Sequence, residues 1–154
     1  AGFDTLFLAQ ATGPITVDFP GGKVSGAGIG ADSFVNIEKL LFGAGNDVVT
    51  GGNGNDAFDG GVGNDTLRGA AGNDTIDAGS GDDRIEGGAG DDILTAGSGR
   101  DVFVFAAGFG KDAITDFRTS GASADMLEFS IGLFADFDTA IASADQIGSD
   151  TVFS

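Results

Sequence analysis

The chain has 154 residues, 29 of them glycine, and its 24 acidic residues against 7 basic ones set a net charge of −17. Histidine, cysteine, tyrosine and tryptophan are absent, which excludes Ser-His-Asp and Cys-His catalysis, zinc held by nitrogen or sulfur, and disulfides. The charge opposes nucleic acid and anionic membrane surfaces, and no apolar run approaches the ~20 residues of a membrane-spanning helix.

Of the 24 acids, 21 are Asp and 3 are Glu. Asp competes with its own backbone for hydrogen bonds and favours turns over helices, so the composition reads as turns carrying carboxylates. Such a chain buries a core only if something offsets the carboxylate repulsion.

In chain order, residues 12–26 predict a β-hairpin. Ile15, Val17 and Phe19 alternate with Thr16 and Asp18, Pro20-Gly21-Gly22 makes the turn, and Lys23-Val24-Ser25 returns. Gly26 to Ala31 matches the loose dinucleotide pattern G-x-G-x-x-A, but no parallel-sheet strand precedes it and no helix follows, so it carries no weight. Val35-Asn36-Ile37-Glu38-Lys39-Leu40 predicts a strand.

From Phe42 the chain reads as seven nine-residue blocks without a gap: FGAGNDVVT, GGNGNDAFD, GGVGNDTLR, GAAGNDTID, AGSGDDRIE, GGAGDDILT and AGSGRDVFV. The sixth position is always Asp: Asp47, Asp56, Asp65, Asp74, Asp83, Asp92 and Asp101. The fourth is always Gly, and the eighth is always apolar, from Val49 to Phe103. A flexible linker has no need of a phased large apolar residue. Degenerate copies extend the array: AGIGADSFV at 27–35 keeps Gly30, Asp32 and Phe34, and AGFGKDAIT at 107–115 keeps Gly110, Asp112 and Ile114. Residues 1–7 match the end of a further block, with Gly2, Asp4 and Leu6 in phase, so the chain reads as a piece of a longer protein.

After the blocks, eight of the 14 Phe lie from Phe103 onward, a composition suited to a hydrophobic cap over an open repeat end. Asp125-Met126-Leu127-Glu128-Phe129 predicts a strand. From Asp136, the spacing of Phe137, Ile141, Ala144 and Ile147 predicts a short C-terminal helix stopped at Gly148. Three segments result: an irregular β segment with degenerate repeats over 1–41, the seven repeats over 42–104 and a capping region over 105–154.

One block combines tight-turn glycines with a short carboxylate. Carbonyl and carboxylate oxygens without nitrogen or sulfur suit calcium, which takes six to eight oxygens at about 2.3–2.6 Å. The pattern resembles the G-G-x-G-x-D-x-U-x nonapeptide of RTX (repeats-in-toxin) proteins, described as a calcium-binding parallel β-helix repeat. The segment VFVFAAGFGKDAITDF, after Asp101, resembles the closing cap of serralysin-type proteases. The resemblance implies an all-β parallel β-roll in which one coil takes two blocks and a calcium ion sits between stacked turns. One edge then carries Asp47, Asp65, Asp83 and Asp101, the other Asp56, Asp74 and Asp92, giving five sites; Asp112 adds a sixth, although Phe105 and Ala106 disturb its spacing. Asp32 lies 15 residues before Asp47, out of step with that coil. Carbonyl ligands are expected from Gly43, Gly45, Gly52, Gly54, Gly61, Gly63, Gly72, Gly79, Gly81, Gly88, Gly90, Gly97 and Gly99. Arg100 and Lys111 place cations beside Asp101 and Asp112, which weakens the site joining Asp83 to Asp101.

The resemblance further implies a secreted or cell-surface module without catalysis of its own. It would pass a type I exporter unfolded, fold on calcium outside the cell and assist attached domains in a longer chain. A structural stalk or surface-layer segment is the alternative. Ice binding would need a regular, flat row of Thr and Asn, whereas the third positions read Ala44, Asn53, Val62, Ala71, Ser80, Ala89 and Ser98, without Thr, and the fifth begin as Asn and become Asp82, Asp91 and Arg100. Asp150-Thr151-Val152-Phe153-Ser154 reads either as the acidic-then-apolar end of a secretion signal or as a cap that continues.

Overall fold

A computed structural model describes residues 5–8, 13–18, 20, 22–26, 30–33, 37, 39–130, 144–147 and 150–153. Every regular element among them is a strand. The first sheet has the spatial order β1 (Thr5–Phe7), β5 (Lys39–Leu41), β7 (Ala57–Asp59), β9 (Thr75–Asp77), β11 (Ile93–Thr95), β13 (Asp112–Ile114), β16 (Asp150–Phe153) and β15 (Ala144–Ile147). The second runs β14 (Met126–Phe129), β12 (Val102–Phe105), β10 (Arg84–Ala89), β8 (Thr66–Ala71), β6 (Val48–Thr50), β2 (Ile15–Asp18), β3 (Lys23–Gly26) and β4 (Gly30–Ser33). From β5 to β14 successive strands alternate between the sheets and pair in parallel with the strand two along. This is a parallel β-roll.

Period-two alternation explains why such short segments hold as strands. In β7, β9 and β11 only the central residue is buried. Stacking places these residues in register, so Leu6, Leu40, Phe58, Ile76, Leu94 and Ile114 line one sheet. Val17, Val49, Leu67, Ile85, Phe103 and Leu127 line the other. Leu40, Ile76, Ile85, Leu94, Phe103 and Ile114 are 0 % exposed, and burying such a side chain contributes about 1.5–3 kcal/mol. The ladders expected from the blocks therefore run beyond them in both directions.

The flanks join the roll in different ways. The hairpin forms with Ile15 opposite Gly26 and Asp18 opposite Lys23, and its first strand stacks on β6. Gly30–Ser33 extends this hairpin antiparallel to β3, with Asp32 opposite Val24, instead of stacking as a coil. Beyond the blocks, Leu94 pairs with Ile114 and Phe103 with Leu127, so the extra residues Phe105 and Ala106 leave the register intact. Phe105 is buried against the rings of Phe109 and Phe129, at 5.1 and 5.2 Å.

The expected C-terminal helix is corrected over its last turn. Ala144–Ile147 is a strand, antiparallel to Asp150–Phe153, which in turn pairs with Asp112–Ile114. β16 adds to the open edge of β13 and presents an edge of its own, and pairing on that edge satisfies the backbone of Ala144–Ile147 better than an isolated helical turn would. Residues 131–143, including Phe137 and Ile141, lie outside the described residues, as do Gly2, Asp4, Phe19, Gly21, Phe34, Val35, Asn36, Glu38 and Gly148.

Candidate metal-binding turns

The turns between strands place the block Asp residues in two ladders. On one edge, the Asp47 amide donates to Asp65 Oδ1 at 2.7 Å, the Asp65 amide to Asp83 Oδ1 at 2.7 Å and the Asp83 amide to Asp101 Oδ1 at 2.9 Å. On the other, the Asp56 amide donates to Asp74 Oδ1 and the Asp74 amide to Asp92 Oδ1, both at 2.8 Å, and the Asp92 amide to Asp112 Oδ1 at 3.1 Å. The block partners lie 18 residues apart, one coil along the roll. Asp112 thus closes the second edge in the same manner.

Asp65, Asp74, Asp83, Asp92, Asp101 and Asp112 each spend Oδ1 on this ladder, and Asp47 Oδ1 accepts the Ile15 amide. The second oxygen of Asp47, Asp65, Asp74, Asp83, Asp92 and Asp112 is buried and has no hydrogen-bond partner. A buried unsatisfied group costs roughly 1–3 kcal/mol, and more when it is charged. Six such buried oxygens without a donor form a donor set suited to cations. Among the described residues no three acidic side chains converge on one point, so a cation here would draw on backbone carbonyls beside the stacked carboxylates. Calcium accepts that mixture.

Electrostatics point the same way. Burial raises Asp65 and Asp74 to about 6, Asp83 to about 7 and Asp112 to about 8, above the ordinary 3.8. The amide each one accepts opposes the shift, and the neighbouring carboxylates add to it. Asp47, Asp92 and Asp101 are raised too, again chiefly by burial. Without a counter-cation the ionised stack works against its own fold.

The glycines make the close stacking possible. At Gly81 the backbone has φ of +140°, and an added Cβ would lie 2.0 Å from the carbonyl oxygen of Gly63, one coil before. The first block position matters as well, which block reading did not single out. A Cβ on Gly69 or Gly87 would come within 2.2 or 2.1 Å of the unpartnered Oδ2 of Asp74 or Asp92. The signal was present in the blocks, where that position is Gly or Ala after the first.

Arg100 and Lys111 are exposed on the outer side of the turns. Their amides continue a second ladder, from Asn46 through Asn64 and Asp82 to Arg100, and from Asn55 through Asn73 and Asp91 to Lys111. The cation that does reach the Asp stack is Arg118, at Asp101 and Asp125. Neither Arg118 nor Asp125 stood out as a site residue, because a longer excursion of the chain brings them there.

Residues 43–67 and 68–103 match the family model of the RTX calcium-binding nonapeptide repeat (4 copies). These residues are RTX repeats. Among curated proteins no sequence matches the chain. The RTX repeats coincide with the region where coils stack at 18 residues and where buried Asp oxygens lack partners. The chain therefore carries a calcium-binding RTX module. Among the described residues no helix is long and apolar enough to cross a membrane.

Proposed function

We propose that this RTX module is folded by calcium and belongs to a longer protein exported by a type I system. It remains unfolded where calcium is scarce, threads the exporter, then folds outside the cell and assists the folding of attached domains. The observation behind this reading is the row of six buried, unpartnered Asp oxygens, which makes the metal-free roll costly and the metal-loaded one compact. The ligands are the Asp of the sixth block position, Asp112, and the glycine carbonyls of the second and fourth positions. Five sites arise between stacked block Asp residues, and a sixth between Asp92 and Asp112. About five or six calcium ions would offset roughly 10–12 of the 17 negative charges. The module has no catalytic role of its own.

Far-UV circular dichroism of the purified chain tests the coupling. A largely disordered spectrum in chelator should become β-rich as calcium reaches roughly 10⁻⁴–10⁻³ M, the range of extracellular modules. An unchanged β spectrum in excess EGTA would refute calcium-driven folding.

A further inference from the structure

Two block Asp residues fall outside the row of unpartnered oxygens: Asp56 Oδ2 accepts the Gly52 amide at 2.8 Å, and Asp101 Oδ2 meets a side-chain cation. Asp101 is as buried as the other ladder Asp residues, with 0 % exposure, yet its Oδ2 has a partner: the Arg118 guanidinium donates to it at 3.1 Å. The same side chain donates through Nη1 to the carbonyl of Gly97, and through Nη2 to the carbonyl of Gly99 at 2.9 Å. Gly97, Gly99 and Asp101 are the second, fourth and sixth residues of the last block, the three positions assigned to calcium in the other blocks.

The next carboxylate along the edge completes the set. The Asp101 amide donates to Asp125 Oδ1 at 3.1 Å, and that oxygen lies 3.6 Å from Arg118 Nη2. The other oxygen, Asp125 Oδ2, accepts the Arg118 amide at 2.8 Å. Asp125 thus follows Asp101 as Asp101 follows Asp83, but 24 residues on instead of 18. The longer connection carries Arg118 into the turn, and the Arg118 carbonyl accepts the Asp125 amide at 2.8 Å, pinning the excursion shut. In earlier coils the second-position carbonyl accepts an amide from the next coil, as Gly61 does from Ser80 and Gly79 from Ser98. At Gly97 the guanidinium takes over that role.

We propose that Arg118 is a resident cation at the end of the Asp47 edge, holding the carbonyl and carboxylate oxygens that calcium holds between the other coils. This rests on the calcium reading of those coils. A guanidinium suits the place because it stays charged at any physiological pH and presents several donors in a fixed fork. The last coil on that edge therefore closes without metal.

Native mass spectrometry near calcium saturation tests this. Arg118→Ala vacates a ready-made oxygen cage between Asp101 and Asp125 and should bind one ion more than the parent chain. Arg118→Lys keeps the charge and should match the parent count. Asp125→Asn, in a chain that retains Arg118, should leave the count unchanged, and it serves if the alanine variant fails to fold. A parent chain that binds no calcium overturns the calcium reading and this proposal with it. A calcium-binding parent whose Arg118→Ala variant folds without gaining an ion, or whose Asp125→Asn variant loses one, overturns the role of Arg118 alone.

Discussion

Asp74 donates its amide to the carboxylate of Asp92 at 2.8 Å while its own carboxylate accepts the amide of Asp56 at the same distance. Each interior Asp is thus tied to a carboxylate neighbour on both sides. Asp47 differs, since its carboxylate accepts the amide of Ile15 at 2.7 Å, with no preceding Asp on that edge.

The difference predicts unequal losses. Asp74→Ala should weaken two calcium sites and Asp47→Ala one, because a shared ligand serves the ions on both sides of it. Ion counts near saturation, from isothermal titration or native mass spectrometry, should fall by about one more for Asp74→Ala. Equal losses from every Asp would mean that each block binds its own ion.

Acid should act as a partial substitute for calcium. Asp65, Asp74, Asp83 and Asp112 hold protons more tightly in the fold, at about 6, 6, 7 and 8, than at the ordinary 3.8. A raised carboxylate pKa stabilises the fold as pH drops through the folded value, and the gain is complete below the unfolded one. In calcium-free buffer, β signal should therefore grow as pH is lowered from about 8 to about 4. At limiting calcium the trend reverses at first, since protons compete with the metal for the same oxygens. A calcium-free spectrum that is flat with pH would contradict the buried-carboxylate account.

Ala70 sits where other blocks use glycine. Its φ is +83°, the sole positive value among the described non-glycine residues. The left-handed region costs an L-residue about 1–2 kcal/mol, so Ala70→Gly should stabilise the calcium-loaded fold by about 1 kcal/mol in a urea titration. The opposite change, Gly81→Ala, combines φ of +140° with a Cβ 2.0 Å from the Gly63 carbonyl. It should cost about 3 kcal/mol or more, from strain and overpacking together. A neutral Gly81→Ala would show that the turns do not stack this closely.

Surface ion pairs should contribute little. Arg68 and Glu86 face each other across β8 and β10 at 2.7 Å, but half of the Arg68 side chain is exposed. Glu86→Gln should shift stability by about 0.5 kcal/mol or less, and less still at high salt. A loss above about 2 kcal/mol in the same urea titration would mean that the pair is structural.

The roll and its ladders were legible because the code is local and repeated. Turn glycine, Asp and one apolar residue recur every nine positions, and with the two-block coil implied by the RTX resemblance, stacking converts that period into register. Leu67 above Val49 and Asp65 beside Asp47 follow without further information. Where the period lapses, tertiary structure decides. Gly30–Ser33 retains block residues but pairs with β3, since its offset from Asp47 does not match a coil. Ala144–Ile147 has helical spacing but becomes a strand, because β16 presents a free edge beside β13. Arg100 and Lys111 neighbour the ladder Asp residues in the chain, yet they sit in the turns with their side chains exposed, their amides held by Asp82 and Asp91 of the coil before. Arg118 is remote from that ladder in sequence, and the turn closed by its bonds to Asp125 delivers its charge to Asp101.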